Sequence, residues 1–396
     1  MLDDIFETNH RRPEFAVKVI TKDKNKQDIT EIVTERLISL NLTDNRGMEA
    51  DQLDLILSDH DGALALPPRN AEIELAIGWK GKMLTHKGKF TIDEVQWAGA
   101  PDTITLRGRS ADIKGSLGEQ KSRSWHEIHL DNLVEQIAKE HGLDSFVDFS
   151  LRNPLVAHID QTTESDASFL TRLAEQYGCF LSVKNGVLLF MEAGRGKTAS
   201  GKPIPVAEIT RQSGDSFQFS LADGENYKAV RAYWHDTDTG LRGEITVDEN
   251  TKITKQRKMT KGRQLKNGTV KGARLSKRKY NVVEQTAPIT TDADKIKTLR
   301  HVYATDKSAI NAAKAAFGRL KRGVASFSLN LAYGDAELVP ERPVSLRGFK
   351  SAIDSTDWII SRVTHNIAGN GFTTSLELEL KPDDSEPPEV IKKEGK

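Results

Sequence analysis

Residues 162–190 read TTESDASFLTRLAEQYGCFLSVKNGVLLF, and this stretch decides the fold of the middle of the chain. Thr163 is a predicted helix N-cap, and Asp166 stands where a capping box places its acid. Apolar residues then recur at the spacing of one helix face, at Phe169, Leu170, Leu173, Ala174 and Tyr177. Gly178 suits a helix end, and two apolar runs joined by Lys184-Asn185-Gly186 have the pattern of a β-hairpin. The stretch predicts a helix that leads directly into a hairpin, without a reactive cluster.

A second predicted helix precedes this stretch. Over residues 130–140 one side is apolar, formed by Leu130, Leu133, Val134, Ile137 and Ala138. His141-Gly142 then supplies a basic residue and a glycine, the usual signals of a helix end. Residues 116–124 are polar and contain glycine, which predicts a loop. We therefore expect residues 111–200 to form a small mixed α+β domain.

The first 110 residues have the alternating pattern of β-strands. The strand candidates are Phe15-Val17-Val19, Ile38-Leu40-Leu42, Leu53-Leu55-Leu57 and Ile73-Leu75-Ile77, with shorter ones at Phe90-Ile92 and Ile104-Leu106. A period of two is typical of a sheet with one buried face. Several short strands without a long helix predict an antiparallel sandwich or a small barrel over residues 1–110.

The strand pattern returns in residues 201–382, which predict a second β domain. The candidates are Phe217-Phe219, Val230-Ala232-Trp234, Phe327-Leu329-Leu331, Val344-Leu346, Ile359 to Val363 and Leu376-Leu378-Leu380. One helix is predicted at residues 306–321, with Thr305 as its cap and an alanine-rich face. Leu-Arg-Gly occurs at both 106–108 and 346–348, a weak indication that the two β regions are repeats. The proline-containing tail at 383–396 has the composition of a disordered segment.

Composition limits the class of protein. The chain has 396 residues, enough for two or three cores, and 57 basic side chains balance 57 acidic ones. Net charge therefore gives no overall attraction to nucleic acid or to an acidic membrane. Cys179 is the only cysteine, which rules out an internal disulfide, and its place in a strand indicates a small apolar role. The acidic N-terminus lacks a signal peptide, and the apolar runs are too short to span a membrane, so we expect synthesis and folding in a cytoplasm.

A basic insertion at about residues 251–280 leaves one alternative function open. No acid occurs between Glu249 and Glu284, and the basic residues are Lys252, Lys255, Arg257, Lys258, Lys261, Arg263, Lys266, Lys271, Arg274, Lys277, Arg278 and Lys279. Such a segment can bind nucleic acid by neutralising phosphates. Tyr280 is its only aromatic residue, so it lacks a platform for stacking bases. A solvated, mobile extension or an arm that docks on an acidic partner explains the same composition.

Several short motifs resemble catalytic sites but have the wrong spacing. Gly194-Arg195-Gly196-Lys197-Thr198 matches only the end of a P-loop, because Met191 stands where its first glycine belongs. In His126-Glu127-Ile128-His129 the two histidines are one residue too close to share a helix face. His235-Asp236 with Asp238 fits a polar turn as well as a metal site.

Two features of the sequence bear on hydrolysis: a serine-containing motif and the many acidic residues. Lys121-Ser122-Arg123-Ser124 lacks the glycine elbow and the histidine of a serine hydrolase. An envelope hydrolase that uses two carboxylates stays open as an alternative, although no pair stands out among the many acids.

Four passages in chain order resemble the phage late control protein D family. One is the helix of the opening stretch, with Glu164-Ser165-Asp166, Phe169-Leu170, Arg172-Leu173-Ala174 and Tyr177-Gly178. The others are residues 106–112 continuing through 120–125, residues 227–234, and residues 344–346 through Trp358-Ile359-Ile360 to residues 371–374. Together they extend from about residue 100 to residue 380. Members of this family are baseplate hubs of contractile phage tails, related to the base of the type VI secretion spike.

The resemblance implies an α+β, mainly β fold with two tube-type antiparallel β-barrel domains flanking a smaller mixed α+β domain. It also implies a homotrimeric ring that joins the sixfold tail tube to the threefold central spike in the virion tail baseplate. The implied partners are the tail tube protein, the central spike protein, the tape-measure protein and other baseplate proteins, with nucleic acid only passing through a channel. The resemblance and the failed motifs together predict a structural protein, not an enzyme, with no catalytic, cofactor-binding or metal-binding residues.

Overall fold

The computed structural model describes residues 12–20, 26–68, 70–110, 116–152, 154–184, 186–192, 194, 196, 198, 202–221, 227–236, 240–259, 263–264, 270–271, 275–285, 295–322 and 325–381. Of residues 252–285 only the backbone is described. The chain groups into two compact units: the smaller contains residues 175–178 and 223–321, and the larger contains the rest. The predicted tail at 383–396 lies outside the described residues.

The first 110 residues form seven strands and one short helix. They are β1 (Pro13–Ile20), β2 (Lys26–Asp28), α1 (Thr30–Arg36), β3 (Leu37–Asn45), β4 (Gln52–Ser58), β5 (Glu72–Trp79), β6 (Thr85–Ala98) and β7 (Thr103–Ser110). All six predicted strands are confirmed. The alternating apolar residues lie in one core that includes Leu40, Leu55, Leu75 and Phe90. The prediction for Ile38 is wrong, because a register shift between Leu37 and Ser39 turns its side chain to the solvent.

The middle of the chain contains both predicted helices and the predicted hairpin. The elements are β8 (Gln120–His129), α2 (Leu130–Glu140), β9 (Asp144–Val147), β10 (Leu155–Ser165), α3 (Asp166–Tyr177), β11 (Cys179–Lys184) and β12 (Val187–Glu192). β8 and β10 pair as a two-stranded antiparallel ribbon, and β12 lies between β11 and β9. The apolar sides of both helices are buried, and Cys179 is buried at the start of β11, as the sequence predicts. The predicted loop at 116–124 is wrong over residues 120–124, which begin β8.

The predicted cap of α3 is also wrong. Thr163 lies in β10 with a φ of +49°, beside a register shift between Gln161 and Glu164. The helix begins later, and the Oγ of Ser165 accepts a hydrogen bond from the backbone N–H of Ser168 at 3.2 Å. Ser165 therefore caps the helix, and Asp166 becomes its first residue.

The second β region adds strands to the sheet that the first region begins. Its elements in the larger unit are β13 (Ala207–Thr210) and β14 (Gly214–Leu221), then β22 (Ala325–Leu331), β23 (Pro343–Arg347), α5 (Ser351–Asp354), β24 (Trp358–Ala368) and β25 (Gly371–Leu380). One sheet of 13 strands results, with the order β14-β22-β25-β24-β3-β4-β7-β6-β5-β1-β2, and with β23 beside β24 and β13 beside β23. A second apolar core, around Phe327, Trp358 and Leu376, lies on this side. The closure of each region into a barrel stays a prediction.

The smaller unit contains the predicted alanine-rich helix. Its elements are β15 (Ala229–His235), β16 (Arg242–Asp248), β17 (Thr251–Met259), β18 (Arg263–Gln264), β19 (Val270–Lys271), β20 (Leu275–Gln285), β21 (Ile296–Tyr303) and α4 (Asp306–Arg322). Ala309, Ala312, Ala313 and Ala316 of α4 pack on the sheet β16-β15-β21, and Thr305 caps the helix through a 3.2 Å bond from the N–H of Ser308. The basic insertion forms an antiparallel ribbon of β17 and β20. The prediction that this insertion is a solvated extension or a docking arm stays a prediction.

Candidate functional site

The pairing of β3 with β24 joins the two β regions through residues more than 300 positions apart. Asn41 lies opposite Asn366, and Thr43 lies opposite Thr364. The amide nitrogen of Asn366 donates a hydrogen bond of 2.5 Å to the side-chain oxygen of Asn41. Cross-strand polar pairs of this kind help to set the register of a sheet. This pair of strands, with the charged side chains around it, is the candidate functional site, and we call it the junction.

A buried carboxylate at the junction holds three parts of the chain together. Nη1 of Arg46, just after β3, lies 3.2 Å from Oε1 of Glu341 and also contacts Glu379 of β25. The other oxygen of Glu341 accepts a 2.7 Å hydrogen bond from the backbone N–H of Gly194. Burial raises the pKa of Glu341, although the charge of Arg46 opposes that effect. Because removal of Arg46 leaves the buried carboxylate of Glu341 without its cation, this contact helps to fix the relative positions of the three segments.

A lysine on the β-hairpin makes a second connection to the first β region. Nζ of Lys184, at the end of β11, lies 2.9 Å from Oδ1 of Asp44 and 2.6 Å from Oδ1 of Asp51. Burial and the neighbouring charge of Asp44 raise the pKa of Asp51 to about 6, against the opposing charge of Lys184. Two carboxylates, one at the end of β3 and one in the loop that follows it, thus share the ammonium group of the hairpin lysine.

A third charged cluster surrounds Asp166, inside the stretch that resembles the late control D family. The side chain of Asp166 is fully buried. Its oxygens accept bonds from Lys121 Nζ at 2.7 Å, Arg123 Nη2 at 2.6 Å, Gln161 Nε2 at 2.8 Å and His141 Nε2 at 2.8 Å. Burial opposes the charge, but the hydrogen bonds from Lys121, His141 and Gln161 outweigh it and lower the pKa of Asp166 to about 2. The cluster ties the ribbon of β8 and β10 to the end of α2 and the start of α3.

The geometry gives a structural role to the motifs that resembled catalytic sites. The backbone N–H of Gly194 donates to Glu341, so an internal carboxylate already uses this donor of the P-loop-like motif. Gly196 has a φ of +58°, and a Cβ there would lie 2.4 Å from Pro343, so the glycine permits close packing. His129 is paired in register with Leu155, and His126 with His158, so the two histidines of the motif do not converge. Asp238, which the sequence placed beside His235, lies outside the described residues.

The serine motif has no catalytic arrangement either. Oγ of Ser122 accepts a 3.0 Å bond from the N–H of Thr163, and Oγ of Ser124 donates a 2.6 Å bond to Asp160. In a Ser-His-Asp triad a histidine lies between the serine and the carboxylate, whereas here the carboxylate of Asp160 contacts Ser124 directly. Glu140, His141 and Asp166 lie close enough to hold a metal ion, but Lys121 and Arg123 contact both carboxylates, so the charge is already balanced. The described residues of the motif therefore support structure, not catalysis.

The residues of the junction were missed by the sequence analysis. Arg46, Glu341 and Glu379 lie in different parts of the chain, and Lys184 lies more than 130 residues from Asp51. A turn with a positive φ at Glu341, +69°, is the only local peculiarity among them. No local periodicity marks such long-range partners.

The fold resembles that of phage tail proteins. A tail protein from Neisseria meningitidis MC58 aligns with a TM-score of 0.61 at 12% identity, covering 92% of this chain and 96% of that chain. A 43 kDa tail protein of prophage MuSo2 from Shewanella oneidensis aligns with a TM-score of 0.60 at 13% identity, covering 92% and 98%. At 12–13% identity these alignments show a shared fold only. By its fold, the molecule thus falls in the class of phage tail proteins.

Sequence relatives identify the family within that class. Residues 63–371 match the family model described as phage tail baseplate hub (GPD). The chain is 45% identical over 366 residues to the probable baseplate hub protein of Escherichia phage 186, covering 91% of this chain and 92% of that protein. It is 45% identical over 364 residues to the corresponding protein of Escherichia phage P2, covering 91% and 93%. The chain belongs to the phage tail baseplate hub family and is a virion component.

None of the helices in the described part of the chain combines the length and apolarity that crossing a bilayer requires. The named relatives are structural proteins, and neither the nucleic-acid alternative through residues 252–279 nor the envelope hydrolase is favoured. The resemblance to the late control D family is thus confirmed.

Proposed function

We propose that three copies of this chain form a ring that joins a sixfold tail tube to a threefold central spike in a contractile tail. The observation that carries the proposal is the continuous sheet across the junction. Counted outward from the β3–β24 pair, the first region continues with β4, β7 and β6, and the second with β25, β22 and β14. One chain therefore offers two antiparallel β regions side by side, and three chains offer six.

The proposal assigns residues 1–110 and 201–382 to two tube-like domains and residues 111–200 to a smaller domain between them. The charged contacts at the junction support it, because an adaptor between two symmetries needs its repeated surfaces held at fixed spacing. The ion pair of Arg46 with Glu341 joins the two β regions, and the ion pair of Lys184 with Asp44 joins the middle of the chain to the first of them. Buried pairs resist rearrangement more than exposed ones, since opening them leaves an uncompensated charge.

The proposed partners follow from this arrangement. The tail tube protein would contact the six β regions, and the central spike protein would contact the trimer on its threefold axis, with tape-measure and other baseplate proteins near by. A closed ring of three copies needs a heterologous interface in which two different surfaces meet. Assembly in the cytoplasm of the host bacterium is part of the same proposal, as is a channel through which nucleic acid passes without sequence recognition.

Native mass spectrometry of the full chain, alone and with its cognate spike protein, tests the ring. We expect a species of about 132 kDa, three times the chain mass of 44.0 kDa, or a complex with three copies of each protein once the spike is added. A chain that stays monomeric under both conditions overturns the proposal. A sixfold or twofold species overturns it equally, because neither matches two β regions per chain to a sixfold tube.

A further inference from the structure

Two histidines face each other across the ribbon of β8 and β10, outside the clusters described above. His126 of β8 lies directly opposite His158 of β10. The two Nδ1 atoms are 3.0 Å apart, and the ring centroids are 4.6 Å apart. Both side chains are exposed, so they can be reached from solvent. Neither residue contributes to the Asp166 cluster or to the junction.

A carboxylate determines which nitrogen of His158 carries the proton. Nε2 of His158 lies 3.2 Å from Oδ2 of Asp160, two residues further along β10, and the other oxygen of Asp160 accepts the bond from Ser124. A carboxylate oxygen accepts hydrogen bonds, so the nitrogen of His158 that faces Asp160 is a donor. Where the imidazole of His158 carries a single proton, Nε2 therefore holds it, and Nδ1 presents a lone pair to His126.

We propose that His126 and His158 form a binding site for one divalent transition-metal ion of the Zn²⁺, Ni²⁺ or Cu²⁺ type. Bonds of about 2.0–2.1 Å from one ion to two imidazole nitrogens hold these atoms about 2.9 Å apart at a right angle and about 3.3 Å apart at the tetrahedral angle. The observed 3.0 Å lies between these values. The pair thus needs little movement to bind, and water fills the other positions of the ion.

Binding requires one change of protonation. Without metal, Nδ1 of His126 donates to Nδ1 of His158, because the latter nitrogen has no proton. The ion replaces this proton, which moves to Nε2 of His126, so both imidazoles stay neutral. Asp160 keeps its bond to Nε2 of His158 and acts as the outer carboxylate that orients a metal-bound histidine. Imidazole ligands suit these ions, and the expected order of affinity puts Cu²⁺ above Zn²⁺ and Ni²⁺.

Isothermal titration of the purified full-length chain, without an affinity tag, tests the site. With ZnCl₂ or NiCl₂ at pH 7.5 we expect one ion per chain, and at least a tenfold loss of affinity in His126→Asn and in His158→Asn. The matched control is His60→Asn, which changes an exposed histidine whose Nδ1 lies 3.3 Å from Ser58 Oγ. This variant keeps the affinity of the natural chain. Asp160→Asn weakens binding about 10-fold to 100-fold, since it removes the outer carboxylate but neither ligand.

A second measurement separates loss of the site from loss of the fold. Zn²⁺ raises the melting temperature of the natural chain, because an ion that binds only the folded state stabilises it. The histidine variants are expected to have the melting temperature of the metal-free natural chain and to show no rise with Zn²⁺. A natural chain that does not bind, or a His126→Asn/His158→Asn double variant that binds like the natural chain, overturns the proposal.

Discussion

Asp166 and Asp51 are both carboxylates enclosed by the same compact unit, yet their pKa values move in opposite directions. The pKa of Asp166 is lowered to about 2, and that of Asp51 is raised to about 6. Burial opposes ionisation at both sites, so burial alone does not explain the difference. Asp166 accepts bonds from four side chains, whereas Asp51 shares the single ammonium group of Lys184 with a second carboxylate, Asp44.

The ratio of hydrogen-bond donors to acidic groups decides whether the pKa of a buried carboxylate is raised or lowered. Around Asp166, two cations and two further donors surround one carboxylate, with Glu140 at the rim. Around Lys184, one cation serves two acids, and like charges in a small space favour a proton on one of them. The Asp166 cluster thus stabilises the fold over the whole physiological pH range. The Lys184 cluster becomes less favourable as the pH rises and both of its acids ionise.

The largest expected effect follows from Asp166→Asn. The substitution keeps the shape but leaves Lys121 and Arg123 without their buried counter-ion, so we expect a loss of about 3 kcal/mol in the free energy of unfolding. Denaturation in urea, followed by far-ultraviolet circular dichroism, measures it. The control Glu135→Gln removes an exposed partner of Lys139 on α2 and is expected to leave the midpoint unchanged.

The pH dependence of this loss checks its cause. Since the folded pKa of Asp166 lies below the unfolded value of about 3.9, its contribution is complete above pH 4 and disappears as pH falls toward 2. The difference between the natural chain and Asp166→Asn should shrink over that interval. A loss of equal size at pH 2.5 and pH 7 would show that packing, not charge, is responsible.

A smaller effect with the opposite sign is expected from Asp51→Asn. The folded pKa of Asp51 lies above the unfolded value, so its contribution to stability is greatest below pH 4 and is lost as pH rises toward 6. The natural chain should lose stability relative to Asp51→Asn over this window, by at most about 1.4 kcal/mol per pH unit, and the difference should be constant above pH 7. Urea midpoints of both chains at pH 4, 5, 6 and 7.5 measure it.

Two other titratable groups lie near Asp51 and do not account for a change between pH 4 and pH 6. Lys87 faces the same cluster, and burial lowers its pKa to about 8, so it titrates above the interval. Burial and the charge of Lys87 lower the pKa of His365 well below its usual value, which affects both chains alike. A difference that stays constant from pH 4 to pH 6 would contradict the raised pKa of Asp51.

Local pattern predicted the elements well, but it did not predict their long-range partners. The apolar stripe of α2 and the alternation of β4 and β5 correspond to buried residues, because burial of one face follows directly from helical or strand period. The predictions for Ile38 as a buried strand residue and for Thr163 as a helix cap were wrong for one reason. Each residue lies next to a register shift, which changes the direction of side chains without any change in the local composition.

Of the charged clusters, the one around Asp166 was marked in the sequence only as part of a family signature. Asp166 stood out as a first-turn acid, but its partners Lys121 and Arg123 lie more than 40 residues earlier, on a strand that was expected to be a loop. The β3–β24 pair that creates the junction joins residues over 300 positions apart, and the sequence of neither strand predicts that the other is its partner. Pairing over such distances depends on the whole core, not on local propensity.

The smallest expected effect concerns an exposed ion pair in the first β region. It tests whether burial of the side chain explains the large expected effect of Asp166 on stability. Arg107 lies 3.0 Å from Glu94 and 3.6 Å from Asp54, but its side chain is half exposed. Water and salt screen such a pair, so Arg107→Ala should not move the urea midpoint measurably. If this variant lost as much stability as Asp166→Asn, the number of contacts rather than their enclosure would set the free energy. The buried Asp166 and the exposed Arg107 would then not differ in their effect on stability. An unchanged urea midpoint of Arg107→Ala would instead support burial as the factor that makes Asp166 important.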